Sequence, residues 1–226
     1  MIRSYKSKTI KKQLFFYSPM PPIYRLYHFG KYTFSHVELF DILKAWLAVS
    51  LAFGIVLRHD DGIGGFLPSL LIAAVIVGTG FLLHEFGHKL VAQHYHFQAE
   101  FRSFDEMLFL AIIMSFFGFV FAAPGAVMIQ TRTTDLRTLG KIAIAGPLVN
   151  ILLALFFLLL HLPFGLTLSG TFTQTLLDYG LRINIWLALF NMIPFAMFDG
   201  AKVWKWNKYI WIAFVLFTLV LFFMYM

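Results

Sequence analysis

Long apolar runs separated by short charged stretches dominate the chain. Six of them approach the roughly 20 apolar residues that a helix needs to cross a bilayer: 42–57, 66–88, 107–129, 142–162, 181–198 and 209–226. The first and fifth are short, so their ends must lean on flanking residues. The third is interrupted by Gly118, Pro124 and Gly125 and followed by β-branched residues at Val127, Ile129, Thr131 and Thr133. That pattern predicts a helix that breaks and returns as an extended strand. Membrane depth tolerates such a course only where protein or a water-filled cavity satisfies the backbone. HFQAEFRSF at 96–104 is a candidate partner strand. A sixth ordinary spanning helix is the competing reading.

Charge bears on that choice, because Lys and Arg gather on the cytoplasmic side of membrane proteins. If 107–129 enters and leaves on one side, sixteen of the eighteen Lys and Arg share a face and only Arg58 and Arg182 lie opposite. If it crosses, the basic loops on its two sides face opposite compartments. Re-entry is the expected course.

Composition agrees with a membrane protein: 60% of the 226 residues are hydrophobic, 13% are charged, and the mean hydropathy is +0.78. The net charge of +7 is spread thinly. Eight of the cationic residues fall in 1–44, among Pro19, Pro21 and Pro22, with no compact basic domain. An anionic lipid face is therefore the expected partner, and nucleic acid is not. The basic start lacks a short apolar core with a cleavage site behind it, so it reads as retained. With no cysteine, a transition metal would have to be held by His, Asp or Glu.

The stretch FLLHEFGHKLVAQHYHF at 81–97 brings such residues together. His84 and His88, four apart, project from one helix face about a turn apart, as two ligands of one tetrahedral ion require. Glu85 beside them can take a proton from metal-activated water and pass it to a leaving amine. Charged side chains at membrane depth cost on the order of 3 kcal/mol and are normally functional or paired. A third ligand must come from elsewhere. Asp199 follows an apolar run and precedes Gly200, which lets the backbone turn closely; it reads as that ligand or as a helix-end cap. Other acidic residues, Glu38 and Asp41 among them, fall in loops or at segment ends. Asn150 can donate to a substrate carbonyl or oxyanion, or can bridge two helices. Gly146 and Pro147 permit close helix contact and a kink. His94 and His96 face different ways on a helix and read as interfacial.

HEFGH on a membrane helix, AGPLVN at 145–150 and NMIPFAMFDG at 191–200 together resemble the site-2 protease family of intramembrane zinc metalloproteases, peptidase family M50. The resemblance covers roughly 66–206. It implies that His84, His88 and Asp199 bind one Zn2+, that Glu85 is general base and acid, and that a membrane-spanning protein substrate is unwound and cut near the cytoplasmic face. It also implies motif roles for Asn191, Pro194 and Gly200. The chain departs from the family pattern at Met197, where a proline is usual, and at Ala201, where a second glycine is usual. The segments near 97–104 and 127–134 resemble the family's sheet beside the site.

The expected fold is an all-α polytopic membrane protein: five to six transmembrane helices, a re-entrant segment and a small β-hairpin or sheet near a cytoplasmic-side site. The expected division is a basic cytoplasmic region, 1–41, and a transmembrane metalloprotease domain, 42–226. Two other functions compete. A metal-ion transporter would need polar groups along a path, and beyond the residues named the spanning segments offer little except Ser, Thr and Asn184. A catalytically silent helix-binding relative would usually have lost a ligand or the glutamate. Nothing in the sequence bears on oligomeric state.

Overall fold

The computed structural model of the protein describes residues 25–58, 65–120, 124–130, 135–164, 171–195 and 197–225. Most of the expected N-terminal region lies outside them, as do Asp60, Asp61, Thr131, Arg132 and Thr133.

The chain enters through a hairpin, β1 (Leu26–Phe29) and β2 (Tyr32–Ser35), closed by a two-residue turn in which Gly30 takes φ +61°. A hairpin turn of type II′ requires glycine at that position. Helix α1 (His36–Leu57) follows directly, with the Ser35 hydroxyl accepting from the Glu38 N–H as N-cap. It begins six residues before the apolar run expected from 42, because Glu38 and Asp41 are buried against protein and do not have to stay outside the helix.

The second long helix runs from Phe66 to His94 in three parts: α2 (Phe66–Ile72), a π-helical stretch (Ala73–Gly78) and α3 (Thr79–His94). In the wide turn the Ala74 carbonyl accepts from the Trp46 indole at 3.1 Å and from the Thr79 hydroxyl at 3.1 Å. Such interruptions occur often at functional sites. Helix α3 closes with His96 in the left-handed region at φ 61°. The His96 N–H donates to the Gln93 carbonyl and the Phe97 N–H to the Ala92 carbonyl, each at 3.0 Å. This is a Schellman turn, which gives His96 a backbone task.

Strand β3 (Gln98–Ser103), helix α4 (Asp105–Ser115) and strand β4 (Gly125–Gln130) come next. The strands pair antiparallel, from Gln98 opposite Gln130 to Ser103 opposite Gly125. The break and extended return expected within 107–129 are both present. Helix α4, with 11 residues, is about 16 Å long, half of a hydrocarbon core.

Helices α5 (Leu136–Phe164) and α6 (Phe172–Asn191) pack side by side, and α7 (Asp199–Trp206) and α8 (Lys208–Tyr225) complete the chain. One apolar core joins Ile151 and Ala154 of α5, Leu181, Ile185 and Ala188 of α6, and Leu221 of α8. The span expected at 181–198 is displaced. Its helix starts at Phe172 and stops at Asn191, and the chain turns through Pro194 before α7 begins at Asp199.

Among the described residues four helices are long and apolar enough to cross a membrane: 36–57, 66–94, 136–161 and 208–225. The protein is an integral, multi-pass membrane protein, largely helical, with two small antiparallel sheets. Helix α6 has the length but carries Gln174, Asp178, Arg182 and Asn184, and Asn184 is buried against α5.

Candidate metal centre

Three helices bring the site together. α3 supplies His84, Glu85 and His88, all buried; α5 runs across them; α7 begins with Asp199. Glycines set the distances. A Cβ on Gly87 would lie 2.9 Å from the Ala145 carbonyl oxygen, so α3 and α5 touch backbone to side there. A Cβ on Gly146 would collide with Nε2 of His88 and lie 2.6 Å from Nε2 of His84, so only glycine leaves that space open. A Cβ on Gly200 would collide with the Met192 carbonyl, which explains the residue that follows Asp199. The Trp211 indole of α8 donates to that same carbonyl at 2.8 Å and holds the α6–α7 turn in place.

The imidazole tautomers follow from their partners. His84 Nδ1 donates to Asn150 Oδ1 at 2.7 Å, and His88 Nδ1 donates to the Ile142 carbonyl at 2.8 Å. With both Nδ1 protons committed, the neutral rings present Nε2 lone pairs, and these two atoms lie 3.0 Å apart. Asp199 Oδ2 lies 3.0 Å from His88 Nε2 and 3.3 Å from His84 Nε2. Three electron-rich atoms therefore converge on one point. Such a cluster demands a cation there, a proton or a metal ion, and two imidazoles with a carboxylate are a zinc donor set. His84, Glu85 and His88 also place one ligand atom each within 4.8 Å of one another.

Asn150 is placed differently from the oxyanion reading. Its Oδ1 receives the His84 proton, and its two amide protons go to the Gly80 carbonyl at 3.2 Å and to Asn184 Oδ1 at 3.1 Å. Both amide protons are thus engaged within the protein, and Asn150 bridges α5 to α3 and α6 behind His84, where a metal-ligating histidine usually has such a partner. Asn184, in turn, donates to the Gly180 carbonyl of its own helix at 2.8 Å. In the sequence, Asn184 stands out only as one of a few polar residues in the spanning segments.

Glu85 Oε2 accepts from the Val127 N–H of β4 at 3.0 Å, so the sheet expected beside the site touches the carboxylate directly. Lys202 approaches Asp199 Oδ1 at 3.2 Å and leaves Oδ2 to face the histidines. Pro147 removes a helix bond to the Ala143 carbonyl, one residue beyond the carbonyl that His88 uses. Asn191 donates back to Leu187 of its own helix at 3.0 Å, and Pro194 lies in the turn that delivers Asp199. His94 and His96 lie at the end of α3, outside the cluster.

No family model matches the chain, and no solved structure does. Over 181 residues the chain is 40% identical to the "Putative zinc metalloprotease MJ0611" of Methanocaldococcus jannaschii, an alignment covering 80% of this chain and 90% of the relative. Over 165 residues it is 28% identical to the "Putative zinc metalloprotease sll0528" of Synechocystis sp., covering 70% of this chain and 37% of that protein. With these similarities and a His84–Glu85–His88 cluster able to hold a metal ion, the chain belongs to the zinc-metalloprotease-like family of the M. jannaschii protein, related to the M50 peptidases.

Proposed function

We propose that the protein is an intramembrane zinc endopeptidase that hydrolyses a peptide bond in or near a transmembrane helix of a membrane protein substrate. The observation that carries this reading is the convergence of His84 Nε2, His88 Nε2 and Asp199 Oδ2 beside a buried glutamate, within helices apolar enough to span a bilayer. These three residues would hold one zinc ion. A bound zinc supplies Lewis acidity, acidifying water and polarising a peptide carbonyl.

The chain's own groups do the rest. Glu85 takes the proton of the attacking water and delivers it to the leaving amine. Asn150 and the Ile142 carbonyl keep both imidazoles in the tautomer that turns Nε2 inward. Val127 points its N–H away from β3 and toward the site, where Glu85 accepts it, so the outer edge of β4 faces the site. An unwound substrate segment adds to that edge by main-chain hydrogen bonds, the extended form that peptide hydrolysis needs. Helix α4 is too short to cross and β4 returns to pair with β3, which supports a re-entrant course for 107–129. With re-entry, the positive-inside rule puts the site toward the cytoplasmic side of a cell membrane, with the basic N-terminal region, 1–41, on the same side against anionic lipid.

The test pairs zinc analysis with cleavage of a membrane-helix substrate, comparing wild type with Glu85→Gln. Both chains should bind one zinc and only wild type should cleave. Undiminished cleavage by Glu85→Gln contradicts the mechanism, and zinc binding without wild-type cleavage contradicts the activity.

A further inference from the structure

A second buried glutamate faces the same two-stranded sheet from its other edge. Glu38 of α1 and Lys89 of α3 are both fully buried, with Lys89 Nζ 2.6 Å from Glu38 Oε1 and 2.5 Å from Oε2. The Lys89 ammonium also lies 4.0 Å from the centroid of the Phe34 ring on β2. Glu38 Oε1 accepts in addition from the Phe101 N–H of β3 at 2.8 Å. Phe101 stands directly opposite Val127 in the ladder, and Val127 donates outward to Glu85. Both N–H groups of this rung therefore point away from the partner strand, as in a non-hydrogen-bonded antiparallel pair. The rung is gripped at one end by Glu38 and at the other by Glu85.

Lys89 immediately follows His88, so the same α3 that carries Glu85 is tied to Glu38. α1, α3 and β3 meet at one carboxylate, and β4 sits where that junction puts it. A buried ion pair is a poor source of stability, since apolar residues of similar volume often replace one at no cost. Its presence here calls for a geometric reason.

We infer that Glu38, locked by Lys89, is a positioning residue that sets the Phe101–Val127 rung against Glu85 and so fixes the reacting carboxylate and the substrate edge of β4 relative to each other. This rests on the endopeptidase reading of the site. A displacement of about 1 Å at such a contact is enough to cost up to about a hundredfold in rate.

Three variants of the full-length protein in detergent test it, each measured for zinc content, thermal stability, kcat, KM and amide exchange over 125–130. Glu38→Met/Lys89→Met replaces the pair with apolar side chains. It should fold and bind one zinc, hold KM, lose about tenfold or more in kcat, and exchange faster at 125–130. Glu38→Gln/Lys89→Met keeps an acceptor for the Phe101 N–H and should recover most of the lost kcat and protection. Glu38→Asp keeps the charge pair but shortens the reach; it should lower kcat at unchanged zinc and KM, and it decides the matter if the double methionine chain fails to fold. Wild-type kcat and protection in Glu38→Met/Lys89→Met or in Glu38→Asp would overturn the inference, as would a glutamine variant as impaired as the methionine one. If wild type cleaves nothing, the endopeptidase reading falls, and the exchange comparison alone still decides whether Glu38 places β4.

Discussion

The two carboxylates that flank the β3–β4 ladder, Glu38 and Glu85, are the same chemical group in opposite conditions. Glu38 is enclosed by a lysine ammonium on both oxygens and by a backbone N–H. Glu85, also buried, takes one backbone N–H and stands beside three converging acceptor atoms. A buried carboxylate with both oxygens engaged, as in Glu38, holds structure together. One that takes a single backbone N–H among the described residues, next to a site that demands a cation, is suited to the proton transfer proposed for it. On the proposed function, the contrast separates a positioning glutamate from a reacting one on the two sides of one sheet.

The sharpest break of this comparison is Glu85→Gln, which should lower cleavage about 10²- to 10⁴-fold while zinc stays bound, read from turnover of a membrane-helix substrate beside metal analysis. Next comes Gly146→Val. Its side chain would fill the space where the two Nε2 atoms meet, so zinc stoichiometry should fall toward zero without unfolding, checked by metal analysis and circular dichroism. Asn150→Ala frees the His84 ring to rotate and should weaken zinc binding about 10- to 100-fold, measured by competition with a chelator.

The smallest effect lies outside the membrane, at the start of α5. There the Thr138 hydroxyl and amide, with the Arg137 amide, hold the Asp135 carboxyl below the usual carboxylate range. A lowered value means that the stabilisation is present above the unfolded-chain value, roughly 4, and is lost as pH falls through the folded one. The Tm difference between wild type and Asp135→Ala should therefore be constant above about pH 5 and close toward pH 2. A gap that persists in acid would contradict the assignment.

Much of the architecture was legible in the sequence because bilayers impose simple lengths. The apolar runs marked the long helices, and Pro124 with the β-branched run marked the return of β4. His84, Glu85 and His88 were readable from local spacing alone. The rest depended on contacts between segments distant in the chain. The start of α1 is not marked in the sequence, because Glu38 and Asp41 look like residues that end a membrane run and only their partners on α3 and β3 let them lie inside. The role of Asn150 could not be read from AGPLVN, since the direction of its amide is set by Gly80 and Asn184. Lys89, counted from the sequence with the cytoplasmic-face cations, is instead buried near the end of an apolar helix, where it demands a buried partner. The hairpin at 26–35 also had its mark in Gly30 between alternating aromatic residues.

The measurement that tests the central claim most directly is the zinc content and zinc X-ray absorption spectrum of the purified protein, set beside those of His84→Ala, His88→Ala and Asp199→Ala. One zinc per chain in wild type, bound by two imidazole nitrogens and a carboxylate oxygen, with each substitution removing its own ligand from the spectrum or the ion from the protein, is the predicted result. A wild-type chain without stoichiometric zinc, or a zinc spectrum indifferent to all three substitutions, would contradict it.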